Sequence, residues 1–281
     1  MPTPQEIPLQ TPLSSPPEGV WDYTVKAADV VEARRARERQ AGRESRPTIT
    51  RDSRIDGGVY EGSYGGEAIV VDSNKMPAIQ AALDDIMRRI SPDGTPNKHL
   101  ALQTVFNYVS TQMQYGRADV EEILQRAGGR DGTKIGLSVY IERGVGVCRH
   151  QALFAGVLLE KLADSGVLSG AVSVERNMNR RGTNDDKYDG HSWVRYTNSG
   201  GRVFILDVAQ QQVAALSDLM TARRRKEKVW DYARPEDYAK LHGEQTAAAI
   251  KQASQWGREA GHSMVELDKD GLIIVPDWFK N

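Results

Sequence analysis

The chain has 281 residues, 39% of them hydrophobic and 27% charged, enough to bury a sizeable core as one large domain or two small ones. A formal net charge of -1 excludes attraction to a polyanion through overall charge, so any contact with nucleic acid or an anionic membrane needs a local patch. One cysteine, Cys148, excludes an intrachain disulfide and a cysteine-based zinc cage.

The first eighteen residues hold six of the twelve prolines, at positions 2, 4, 8, 12, 16 and 17. A stretch this short of backbone donors holds no helix, and residues 1–20 read as an extended tail. Residues 21–48 turn highly charged, with Arg34, Arg35, Arg37, Arg39, Arg43 and Arg46 set against Glu32, Glu38 and Glu44. They read as a polar helix lying solvated on the domain. Residues 49–281 are taken as one domain with a core at 98–210 and a helical C-terminal extension. Within it, glycines between Gly57 and Gly66, interleaved with Tyr60 and Tyr64, predict a turn or short hairpin. Helices are predicted from Met76 to Ile90, from Lys98 to Gln114 and from Val120 to Arg126. The second has Leu100, Val105, Val109 and Met113 on its apolar side. After Asp207 the chain reads as mostly helical to Glu259, with a short apolar strand from Leu272 to Val275.

The longest fully apolar run, Ala152 to Leu159, is too short to cross a bilayer. The N-terminus carries no basic stretch followed by an apolar one, so the expected location is the cytoplasm, or outside the cell by a route without a Sec signal.

The segment from Arg143 to Ala152 (Arg-Gly-Val-Gly-Val-Cys-Arg-His-Gln-Ala) carries the strongest chemical signal. Ala152, Ala155, Leu159 and Leu162 follow the cysteine at helical spacing, which puts Cys148 at a helix N-terminus. Unpaired N–H groups and the helix dipole stabilise a thiolate there, and the same N–H groups can receive charge developing on an attacked carbonyl oxygen. Gly144 and Gly146 are expected to let the backbone turn and to leave room for a substrate.

A thiolate nucleophile needs a base and a group to orient that base. Gly190 to Tyr196 and Arg202 to Val208 alternate like strands, with the turn-forming Asn198-Ser199-Gly200-Gly201 between them. A three-residue loop, Asn198-Ser199-Gly200, pairs Thr197 with Gly201 and sets Asp207 directly across from His191, with Gly200 left-handed. A four-residue loop would put the two side chains on opposite faces. Trp193 shares the His191 face, where it shields the pair, lines the cleft or packs in the core. His150 either lines the cleft or makes a structural hydrogen bond, the second being favoured.

Other signals are weaker. Gly190-His191-Ser192-Trp193-Val194 lacks the last glycine of a serine nucleophile elbow, and Gly144-x-Gly146 lacks the third glycine of a dinucleotide fingerprint. No cofactor is therefore expected. Arg223-Arg224-Arg225-Lys226 reads as a solvated helix face, and no nucleic-acid partner is predicted.

His191 follows Cys148 by 43 positions and Asp207 follows His191 by 16. That order, with Gly146-Val147-Cys148-Arg149-His150-Gln151-Ala152, His191-Ser192-Trp193 and Ile205-Leu206-Asp207, resembles the transglutaminase-like (papain-related) superfamily, in particular its bacterial and plant branch. The resemblance covers residues 98–210. It implies an α+β fold whose nucleophile helix packs on an antiparallel sheet, with Cys148 as nucleophile, His191 as general base then acid, and Asp207 as the orienting carboxylate. Three departures bear on the choice of branch. Arg143 is followed by Gly-Val-Gly-Val-Cys rather than the Arg-Gly-Gly-x-Cys of arylamine acetyltransferases. One cysteine cannot make the zinc site of peptide N-glycanases, and the acidic loops of calcium-regulated transglutaminases have no visible equivalent. The expected reaction is hydrolysis of a peptide or isopeptide-like amide in a protein or peptide substrate. The alternatives are transglutamination or deamidation of glutamine, and an inactive binding module. The proline-rich tail suits an injected bacterial effector.

Overall fold

Turn-forming glycines and prolines cut this chain into many short elements, arranged around one long buried helix. In the computed structural model the described residues are 46–61, 67–129, 133–180, 188–225, 229–230, 232–234, 237, 266–267 and 273–274. The expected tail, nearly all of the charged helical segment, and residues 238–259 of the expected helical extension lie outside them.

In chain order the elements are β1 (Val59–Glu61), β2 (Ala68–Val70), α1 (Pro77–Ile90), α2 (Lys98–Gln112), β3 (Gln114–Tyr115), α3 (Arg117–Arg126) and β4 (Lys134–Gly136). They continue with α4 (Leu137–Arg143), β5 (Val145–Gly146), α5 (Cys148–Asp164), β6 (Gly170–Arg180), β7 (Tyr188–Asn198), β8 (Val203–Asp207), β9 (Gln212–Ala215), α6 (Leu216–Arg224), β10 (Glu266–Leu267) and β11 (Ile273–Ile274). The fold is α+β. Its main sheet is antiparallel in the order β6-β7-β8-β9, beside a mixed sheet β1-β2-β4 and a parallel pair β3-β5.

Helix α1 begins at Pro77, whose missing N–H costs nothing at a first helical position, and buries Ile79, Ala82, Ile86 and Ile90. Helix α2 is capped by Asn97, whose side chain accepts from His99 N at 3.0 Å. Its buried side is Ala101, Val105, Phe106 and Val109. Leu100, expected on that side, is exposed. The helix stops at Gln112 because Met113 turns extended, which frees Gln114 and Tyr115 to pair with β5.

Almost every residue of α5 from His150 to Leu162 is buried, as expected of a helix surrounded on all sides. It packs on α2 and on β6 and β7 of the main sheet. Leu153, Phe154 and Leu158 are fully buried, each contributing about 1.5–3 kcal/mol of apolar transfer. Gly156 permits the close approach, since a Cβ there would lie 2.9 Å from Ile55 Cδ1 and 3.0 Å from Val174 Cγ2. Glu160, buried on the same helix, accepts from Ile55 N at 2.9 Å and Asp56 N at 2.7 Å, tying the 46–61 stretch to α5.

The β7–β8 hairpin differs from the expected register by one residue at the turn. Thr197 pairs with Val203, and Asn198 N donates to Arg202 O at 3.0 Å, so the loop is Ser199-Gly200-Gly201. Gly201, not Gly200, takes the left-handed conformation (φ 77°). The Asn198 side chain explains the shift: its Oδ1 accepts from Arg202 N at 2.9 Å and closes the turn there. The loop still has three residues, so the faces are preserved. Asp207 moves two positions along, to lie across from Trp193 and diagonal to His191.

Two cores flank the main sheet. Val174, Val194, Tyr196 and Leu206 face α5, whereas Trp193 and Ile205 face Leu216, Leu219, Tyr232 and Ala233. The stretch after Asp207, expected to be helical, first forms β9 on the sheet edge, because Val213 and Ala215 cover that edge. Strand β6 drew no expectation from the sequence. Its outward positions, Ser173 and Glu175, are buried polar residues, which masks the alternation. The apolar strand near the end appears as β11, paired antiparallel with β10. Among the described residues no helix is long and apolar enough to cross a membrane.

Replacing Glu160 with alanine strips one buried and one part-buried N–H group of their acceptor. Urea unfolding of the variant is expected to show a loss on the order of 3 kcal/mol, whereas removal of a solvent-exposed carboxylate costs under about 0.5 kcal/mol.

Candidate functional site

Helix α4 ends on Gly144, left-handed at φ 67°, and the chain doubles back as β5. Strand β3 holds it there through Gln114 N to Gly144 O at 2.8 Å and Gly116 N to Gly146 O at 2.9 Å. Val147 caps α5, so Cys148 is the first helical residue, with the unpaired N–H groups of the first turn around it.

This N-terminus is capped by a histidine. His150, at the third helical position, accepts the Val147 N–H on Nδ1 at 3.1 Å, as glutamate or glutamine does in a capping box. Its Nε2 therefore carries the proton and lies 3.0 Å from Glu67 Oε1. Arg149 reaches the same oxygen with Nε at 2.7 Å and Nη2 at 2.6 Å. Tyr140 packs its ring on the imidazole, centroids 3.9 Å apart. Burial pushes the His150 pKa down to about 4, against the pull of Glu67, so the ring is neutral. Burial alone would raise Glu67, yet the nearby His150 Nε2 and the Arg149 charge outweigh it and hold the carboxylate at about 2.

His191 sits where β7 runs on past the end of β8. Only residues Val194 to Thr197 of β7 pair with β8, while His191 pairs with Asn177 of β6. On the stretch that β8 leaves open, the His191 ring and the Ser192 N–H neighbour the Cys148 thiol and favour its anion. The ring nitrogen Nε2 bonds Asp207 Oδ2, leaving Nδ1 for the thiol. Asp207, the last residue of β8, is fully engaged: Oδ1 accepts from Gln210 N at 3.0 Å and Oδ2 also accepts from Tyr232 Oη at 2.8 Å. The imidazole lies over Trp193 (5.9 Å, 28°) and meets Trp230 edge-on (4.7 Å, 63°).

The electrostatics follow from these contacts. Burial opposes ionisation of both partners. For Cys148 the His191 hydrogen bond and charge, the Ser192 N–H and Arg149 prevail, and its pKa is lowered. For His191 the Asp207 and Cys148 interactions prevail and raise it to about 9. Both shifts favour the thiolate and imidazolium forms of the pair. Such a pair can attack an electrophilic carbonyl and return a proton to the departing group.

Cys148, His191 and Asp207 are brought together. Of the three residues given substrate-contact roles, none is exposed to a substrate, and His150 takes the structural hydrogen bond favoured for it. His150 is completely buried as the helix cap, and Trp193, 3% exposed, packs in the second core. Gly146 makes no room for substrate, because a Cβ there would sit 2.5 Å from Met113 Sδ and 2.8 Å from His150 Cβ. Sequence reasoning missed Tyr232, Trp230, Glu67 and the Ser192 N–H. Two aromatics close together in an otherwise polar stretch were the available sign of the first two.

His150 also makes acid stability predictable. Its folded pKa lies below the unfolded value of 6.5, so the unfolded chain binds the proton first and stability falls as pH drops from 6.5 to about 4. The loss from this residue is on the order of 3 kcal/mol. In His150→Gln, which keeps an acceptor for Val147 N, that part of the pH dependence is expected to vanish when denaturant midpoints are compared across the window. The chain matches no protein-family model, and no curated protein is similar to it in sequence.

Proposed function

We propose that the chain is a cysteine-nucleophile acyl-transfer enzyme, built on a papain/transglutaminase-like core, that hydrolyses a peptide or isopeptide-like amide. The observation that carries this reading is the buried His191 ring joined to the Cys148 thiol on one side and the Asp207 carboxylate on the other. A structural histidine needs only one such partner. Support for the core comes from a cysteine at the N-terminus of the central helix, packed on an antiparallel sheet whose adjacent strands supply the histidine and the aspartate.

In the first step the Cys148 sulfur bonds the carbonyl carbon, and the oxygen turns towards the N–H groups of the first turn of α5. The C–N bond then breaks, and the imidazolium proton passes to the leaving nitrogen. In the second step water loses a proton to His191, and its oxygen displaces the sulfur, releasing the acid and restoring the thiolate–imidazolium pair. Asp207 keeps the ring oriented and balances its charge throughout. Water is always available as acceptor, which favours hydrolysis over transfer to an amine.

Labelling with limiting chloroacetamide below neutral pH tests the pair. Wild-type Cys148 is expected to react fast, and His191→Ala at least about tenfold slower. Slow wild-type labelling that His191→Ala leaves unchanged favours a binding module instead. Cys148→Ala used as bait should retain the substrate for identification. A primary amine added with a glutamine peptide gives a cross-linked adduct only if the enzyme is a transglutaminase.

A further inference from the structure

The residues after α6 hold a role that the triad does not account for. Val229, Trp230, Tyr232 and Ala233 pack over the face of the sheet that bears His191 and Asp207. Two ionic anchors, the second of them buried, keep them there. Arg234 donates to Glu175 on β6 (3.1 Å) and to both oxygens of Asp52 (3.0 and 2.7 Å). Asp237 binds Arg195 of β7 through two bonds of 2.7 and 2.8 Å. Such anchoring exceeds what covering a few apolar side chains requires, and it sets the Tyr232 hydroxyl on Asp207 Oδ2, the oxygen that holds His191.

We propose that Tyr232 is a positioning residue for the reaction, fixing the Asp207 carboxylate and moderating its pull on the His191 imidazolium, so that the C-terminal segment completes the site. The inference rests on the acyl-transfer reading above. The phenol competes with the imidazole for negative charge on one oxygen. By taking a share, it weakens the hydrogen bond to His191 and leaves the ring better able to release its proton. Burial and the adjacent carboxylate raise the Tyr232 pKa, so it remains a donor across the working range. Among the described residues, the ionisable groups acting on the pair are Cys148 and Arg149 from α5 and Tyr232 from this segment. Trp193 and Trp230 complete the surroundings of the ring without charge.

The test uses iodoacetate on the full chain, because an anionic probe reacts with the thiolate fastest while the neighbouring imidazolium is charged. The wild-type rate is expected to rise as the thiolate forms and to fall as His191 deprotonates, near pH about 9. In Tyr232→Phe, which keeps the ring packing against Trp193, the alkaline limb is expected to move up by about half a pH unit, roughly threefold in proton binding, with a lower peak rate. A residue that served only stability would leave that limb in place. A bell-shaped wild-type profile with an unmoved limb in Tyr232→Phe overturns the role of Tyr232 and leaves the acyl-transfer reading standing. A wild-type profile with a single rise at the ordinary thiol pKa removes both. Should the phenylalanine variant fail to fold, 3-fluorotyrosine at position 232 retains the contact and donates more strongly. The limb is then expected to move to lower pH, and an unmoved limb again overturns the proposal.

Discussion

The bond between His191 and Asp207 is the interaction on which the organisation of this site depends. An imidazolium can be kept charged inside a protein only if a carboxylate neutralises it at contact distance, and a buried carboxylate in turn needs all its lone pairs occupied. Asp207 meets that demand with three donors, one each from β7, the β8–β9 turn and the segment after α6. Three separate parts of the chain therefore converge on one side chain. The thiol of Cys148 then meets a partner that is already charged and already oriented.

The two histidines near the thiol illustrate how environment divides one residue type into two functions. His191 has an anion-forming group on each ring nitrogen and is pushed towards the charged form. His150 is completely buried, accepts a backbone N–H on one nitrogen, and is pushed towards the neutral form. The Glu67 charge, which by itself favours a protonated His150, is already compensated by Arg149. The cap therefore stays fixed under the helix while the other imidazole lies between the thiol and the carboxylate.

Glycine spacing before the cysteine serves packing rather than substrate access. Gly144 reverses the chain after α4, and Gly146 lets β5 pass against Met113 and His150. The cysteine is presented by a rigid connection, pinned by β3 on one side and by the His150 cap on the other. Strand β8 stops at Asp207 while β7 continues past it to carry His191.

Local pattern was enough to read the helices α1 and α2, the helical start at Cys148, the hairpin between β7 and β8, and the shared face of His191 and Asp207. Each of these depends on periodicity or turn chemistry within about twenty residues, which a sequence displays directly. The register of the hairpin was legible only to parity, because the choice between two three-residue loops turned on one Asn198 side-chain bond. Strand β6 and the cover formed by Trp230, Tyr232 and Arg234 were not legible. Their polar side chains meet partners up to 182 positions away, as Arg234 meets Asp52. Whether a buried charge is a fault or a fixture depends on the group that folding brings to it. A linear pattern records the residue, and only the tertiary structure supplies the partner.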